Sequence, residues 1–246
     1  MDKTIAVFGA GTGLGASVAR RFGREGFQVA LVGRRPGPLE DLVAVLAAEG
    51  IEAAAFPADL TAVSAVPALV AAITKHFGRI DVVEYAPMAP AAFIPAAQLT
   101  AGMLRDLVSL YLLTPVEVVQ AVLPAMLERG DGGILIGHGL SAVEGTPYMS
   151  GVGPVMAAAR NYLYSLNGEV ADKGVYAGTL TVAAMIERSE SHQALTSGEL
   201  SLGLPEGVSL PTVDPDDLAE QCWNLLSKRD RVELIYPPVT PGHAGR

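Results

Sequence analysis

Four glycines in the stretch FGAGTGLG (8–15) stand at positions 9, 11, 13 and 15, between a short apolar run and a stretch with helical spacing. Glycine lets the backbone turn sharply and approach a bulky anion. A helix amino terminus just beyond offers unpaired N–H groups and the positive end of its dipole. Residues of these types at this spacing can grip a diphosphate through the main chain at Gly9, Gly11, Gly13, Leu14 and Gly15, with a hydroxyl added by Thr12. Tight turns elsewhere use glycine for nothing functional, so the weight lies in the strand–loop–helix position and in the repeating units that follow.

The next strand-like run ends LVGRR (31–35). A dinucleotide site selective for NAD places a carboxylate there to bind the adenosine 2′-hydroxyl. Here Gly33 is followed by Arg34 and Arg35, and forked, permanently charged guanidinium groups suit a 2′-phosphate. Solvated arginines at a helix start are the plain alternative, one the helix dipole disfavours. The expected cofactor is therefore NADP(H) in preference to NAD.

Proton-transfer groups are fewer. His138 is the one histidine at a strand's carboxyl end on the nicotinamide side, and imidazole titrates near neutrality. Tyr111 and Tyr148, with Tyr85 and Glu144, are expected around the same cavity, so His138, Tyr111 and Tyr148 are the candidate catalytic residues. A hydrogen-bonded structural role is the alternative for His138. His76, His192 and His243 are scattered without ligand spacing, and no metal is expected. Ser141 lacks the flanking glycines of a nucleophile elbow. Cys222, beside Trp223, Leu225 and Leu226, reads as a packed core thiol.

The elements that must position these groups alternate from the first residues. Strand-like segments cover 4–10, 27–34, 51–59, 79–87, 132–139, 174–184 and 231–237; helix-like segments cover 15–26, 38–50, 62–78, 98–129, 150–173 and 214–228. Continuous apolar strands alternating with helices imply an α/β fold: a single-domain Rossmann-type, doubly wound parallel sheet of about seven strands with helices on both faces, spanning 1–246. The Ser/Gly/Pro-rich passage 189–213 is the one long irregular stretch, placed where a substrate flap or a plain surface loop would lie.

Composition narrows the partners. With 246 residues, half of them hydrophobic and 17% charged, the chain can bury a sizeable core. A net charge of −9 argues against a nucleic-acid or anionic membrane surface. A single cysteine, the absence of a signal-peptide layout after Met1 and the lack of an apolar run near ~20 residues point to a soluble cytoplasmic protein with a small-molecule substrate.

Gly9-x-x-x-Gly13-x-Gly15 resembles the glycine spacing of the short-chain dehydrogenase/reductase superfamily, and the chain is similar to that family over about 4–236. The resemblance extends the cofactor contacts to Asp59 and Leu60, to Ala86, and to Ile186 after the sixth strand. It also implies a homodimer or homotetramer built on helices 98–129 and 150–173. The family's catalytic Tyr-x-x-x-Lys pair aligns with Val152 and Met156, its serine with His138 or Gly139, and its asparagine with Tyr111. Reading Tyr148 as the acid puts Val152, not lysine, four residues later. The resemblance thus implies an NADP(H)-binding oxidoreductase on a small carbonyl or alcohol with altered acid–base groups. A non-catalytic NADP-binding or assembly protein, and a non-redox cyclase or isomerase on an apolar pocket, stand as alternatives.

Overall fold

Nine strands and eight α-helices alternate along residues 2–89, 94–199 and 211–239, the part of the chain that the computed structural model describes. The amino-terminal half runs β1 (Thr4–Phe8), α1 (Leu14–Gly23), β2 (Gln28–Gly33), α2 (Pro36–Ala48), β3 (Ala53–Pro57), α3 (Val66–Phe77) and β4 (Val82–Tyr85). It continues through α4 (Ala101–Val108), α5 (Thr114–Arg129), β5 (Gly132–Gly139), α6 (Gly153–Val170) and β6 (Val175–Val182). The remainder is β7 (Met185–Ile186), α7 (Glu190–Ser197), β8 (Thr212–Val213), α8 (Pro215–Lys228) and β9 (Glu233–Tyr236).

Seven strands form one sheet in the order β3-β2-β1-β4-β5-β6-β9, every pairing parallel. The chain builds outward from β1 to β3, returns to β4, and builds to the opposite edge. The direction of winding reverses between β1 and β4, and in such sheets a crevice opens there at the strands' carboxyl ends. This is the doubly wound parallel architecture expected from the alternating apolar runs.

The period of two along a strand divides the core into two layers. Ile5 and Val7 of β1 face the layer of α1, α2 and α8, while Ala6 and Phe8 face the layer of α3, α5 and α6. β1, β4 and β6 are buried along their whole length, the pattern of a sheet covered on both sides.

Three local features differ from the sequence reading. The expected helix 98–129 is split by a π-helical turn, Ser109–Leu113, between α4 and α5. Pro115 explains it: the ring has no N–H to give the carbonyl of Tyr111 and crowds that carbonyl, so the turn widens. The helical run Ala101–Arg129, 29 residues, is also apolar and long enough to cross a membrane by composition, although Arg105, Asp106 and Glu117 interrupt its apolar residues. Its Val118, Val119, Val122 and Met126 are packed in the core. Finally, the passage expected to be irregular begins with α7, because Ser189 caps it by accepting from the His192 N–H at 3.1 Å. β8, at its far end, pairs with β7, and residues 200–210 of the expected flap lie outside the described residues.

Candidate functional site

The glycine turn sits at the carboxyl end of β1, on the winding reversal. Gly9 has φ +98°, and a Cβ there would stand 2.7 Å from the Pro87 backbone beyond β4; a Cβ on Gly15 would stand 2.7 Å from the Gly9 carbonyl oxygen. These two glycines are demanded by the chain's own packing. Gly11 is different: it is exposed, and nothing lies closer to its Cβ position than 3.8 Å. Gly13 caps α1 with no side chain bonded to the first-turn amides and no acidic residue in that turn. Ala16 N–H donates to the Gly11 carbonyl at 3.0 Å, so among the described residues the free donors at this positive dipole end are the amides of Leu14 and Gly15. Thr12 is exposed beside it and Leu14 is buried beneath it.

Arg34 and Arg35 emerge exposed at the end of β2, with Arg35 as the N-cap residue of α2. The first turn of α2 carries no acidic residue, so two cations stand at the positive end of a helix. That arrangement is unfavourable unless an anion joins it. Just beyond the neighbouring strand β3, Asp59 accepts from the Thr61 N–H at 2.9 Å and the Thr61 hydroxyl at 2.8 Å. These bonds hold its carboxyl below the ordinary aspartate range, with Arg34 adding to the effect. Leu60 is buried, its carbonyl accepting from the Thr114 hydroxyl at 2.6 Å. Ala86 and Ile186 are half-buried at the same edge, Ile186 3.4 Å from the Cβ position of Gly13. Ile186 thus lies against the glycine turn, and Arg34 and Asp59 stand at the carboxyl ends of the neighbouring strands β2 and β3.

The candidate proton-transfer groups lie in three different environments. His138, on β5, is 4% exposed, opposite Thr181 in the β5–β6 register. Burial pushes its imidazole down to about 4, against the pull of Glu233. Its Nε2 has no hydrogen-bond partner among the described residues. Nearby, Glu233 of β9 accepts from Arg160 of α6 at 2.8 Å and from the Thr181 hydroxyl at 2.7 Å. Tyr111, in the π-helical turn, is buried; its hydroxyl accepts from the Ala89 N–H at 2.8 Å and faces the Met88 sulfur at 3.6 Å. Burial pushes that phenol up to about 12. Tyr148 is 49% exposed on the loop before α6 and adopts φ +67°, a left-handed conformation costly for a bulky side chain. Val152, the N-cap of α6, and Met156 in its first turn, the positions that the family resemblance assigns to phenol and ammonium, are buried in the apolar layer.

Some polar residues here escaped sequence reasoning. Glu84, in the middle of β4, is fully buried with neither carboxylate oxygen hydrogen-bonded among the described residues. Burial lifts its carboxyl to about 8. Its place inside an apolar strand run was the available signal. Ser189 and Glu190 also reach the crevice: Ser189 Cβ lies 3.0 Å from the Cβ position of Gly13, and Glu190 pairs with Arg35. No spacing in the sequence pointed to that pair.

The chain is similar to known proteins along most of its length. "Dehydrogenase/reductase SDR family member 7B" of Danio rerio is 28% identical over 97% of this chain and 79% of the relative. "Oxidoreductase asL5" of Sarocladium schorii is 30% identical over 74% of this chain and 72% of the relative. The solved short-chain dehydrogenase from Sphingobium yanoikuyae, in complex with NADPH, superposes with a TM-score of 0.78 at 26% identity, covering 97% of this chain and 89% of that one. The sequence profile of the family described as short chain dehydrogenase matches residues 3–194, and with the winding order and the glycine turn this places the chain in the short-chain dehydrogenase family.

Proposed function

We propose that the protein binds NADP(H) and acts as an oxidoreductase on a small carbonyl or alcohol, its proton moved by groups other than a tyrosine–lysine pair. The observation that carries the cofactor reading is the uncapped start of α1 behind the open Gly11, with Arg34 and Arg35 exposed at the end of the neighbouring strand. The backbone amides of Gly13, Leu14 and Gly15 would hold the diphosphate, with Gly11 leaving room for it, Arg34 and Arg35 the 2′-phosphate, and Asp59 and Leu60 the adenine. The family relative solved with NADPH at 26% identity supports the same choice of cofactor. When bound, the nicotinamide supplies or accepts a hydride.

The chain's own residues must then manage one proton at the substrate oxygen. With burial holding His138 at about 4 and Tyr111 at about 12, the imidazole is neutral and the phenol protonated at pH 7. Both shifts lie away from neutrality and make His138 a weak proton acceptor and Tyr111 a weak donor, so turnover through either would be slow; the exposed Tyr148 is the alternative donor. The site is taken as part of one domain spanning the chain, with 189–213 as its flap. We take the assembly as a homodimer or homotetramer through α4–α5 and α6, which light scattering measures.

A second reading rests on Val152 and Met156, 4% and 3% exposed and packed with their own layer. A helix face filled with aliphatic groups favours a non-catalytic NADP-binding or assembly protein. Fluorescence titration with NADPH and NADH tests the cofactor first: binding of neither below millimolar concentration ends the NADP(H) reading. NADPH consumption with a carbonyl panel then separates the two. Turnover lost in His138→Ala, Tyr111→Phe or Tyr148→Phe supports the oxidoreductase; tight binding without turnover on any carbonyl selects the second reading.

A further inference from the structure

A strap of chain crosses the glycine turn and is tied at both ends. At one end, the Arg188 guanidinium reaches Asp214 at 2.7 Å and Asp216 at 2.8 Å, at the start of α8. Asp216 also accepts from the Ser17 hydroxyl of α1 at 2.6 Å. Ser189 then passes over Gly13, its Cβ 3.0 Å from the Cβ position of that glycine. At the other end, Glu190 in the first turn of α7 pairs with Arg35 at the start of α2. Two ion-pair anchors thus carry the strap from α8 across the glycine turn to the arginine corner.

We infer that Glu190 is a specificity-determining residue of the crevice: its carboxylate occupies the Arg35 guanidinium that a 2′-phosphate would need, so a phosphorylated cofactor must displace it. The inference rests on the NADP(H) reading above. Carboxylate and phosphate both take the guanidinium through its N–H fork, and two anions on one fork repel each other. Both partners of the pair are more than half exposed, so solvent screens it and it changes an equilibrium by no more than about fivefold. A phosphate dianion, with more charge and more acceptors, wins that exchange. A 2′-hydroxyl brings no charge to the contest and leaves the pair closed. Glu190 therefore weakens NADPH binding modestly, does not touch NADH binding, and is released from Arg35 only by the phosphorylated form.

The test titrates the full-length protein with NADPH and NADH by fluorescence. In Glu190→Gln the Kd for NADPH falls about threefold to fivefold while that for NADH is unchanged. Glu187→Gln removes the same charge from the same strap, where Glu187 is bonded to Thr212 at 2.7 Å and not to Arg35, and gives no such gain. In an Arg35→Gln background the Glu190→Gln gain disappears, as a pairwise coupling requires. Without cofactor, amide hydrogen exchange in α7 speeds up in Glu190→Gln, and in the wild type it speeds up on adding NADPH but not NADH. An equal gain for NADH, an equal gain in Glu187→Gln, or a gain that survives loss of Arg35 overturns the inference, as does no gain at all. If no variant binds NADPH, the cofactor reading itself falls and takes the inference with it; if NADPH binds and Glu190→Gln changes nothing, only the inference falls.

Discussion

The carboxyl ends of β1 and β2 keep their polar groups at the surface, with Arg35 paired to Glu190, whereas the carboxyl end of β5 and the facing turns of α6 bury theirs. In the first region Gly11, Thr12, Arg34 and Arg35 are exposed and the start of α1 has no side-chain cap. In the second, His138 and Tyr111 are buried beside Val152 and Met156, and His138 Nε2 lacks a partner among the described residues. The open region keeps its cations and helix-start donors within reach of solution. The closed one is arranged first as a core.

The strongest way to sharpen this contrast is to remove a buried ionisable group. Glu84 titrates near 8 in the folded chain against 4.5 ordinarily, so between those values the folded state keeps a proton that the unfolded state releases. Stability therefore falls as pH rises through that window. Glu84→Gln should recover up to about 5 kcal/mol at pH 9 and little at pH 4, read by denaturant unfolding at the two pH values. His138 has the opposite sign. With its folded pKa near 4 against 6.5, the unfolded state takes the proton first, and stability is lost as pH falls from 6.5 towards 4, by up to about 3 kcal/mol. In His138→Asn that acid-side slope should flatten; an unchanged slope would show the imidazole to be solvated, and the closed region less closed than described.

Breaking the open region has smaller but more selective effects. Gly9→Ala places a Cβ against the Pro87 backbone at φ +98° and should cost about 2–3 kcal/mol in thermal or denaturant unfolding, with cofactor binding lost. Arg34→Gln should leave stability alone and raise the NADPH Kd about tenfold without changing that of NADH. Equal losses for both cofactors would mean that Arg34 binds something other than the 2′-phosphate.

Much of the open region was legible in the sequence because its causes are local. The glycines at 9, 11, 13 and 15 are separated by single residues, and Arg34–Arg35 end the next apolar run. Asp59 even makes its own turn with Thr61. The π-helical turn was less legible, since it needs the joint reading of Pro115 and a helix that continues past it. The sequence likewise marked His138, Tyr111 and Tyr148 as chemically capable but could not say that two are buried and one exposed.

From the residues alone came the parallel sheet, the winding and the glycine turn at the end of β1, because hydrophobic period and backbone freedom act over a few positions. Only the tertiary structure decided that Glu190 meets Arg35 across 155 residues, that Glu84 sits in the core without a hydrogen-bond partner among the described residues, and that His138 stays neutral. Charge pairing and desolvation depend on which surfaces are brought together in space, and side chains brought together from distant segments leave no periodicity to read.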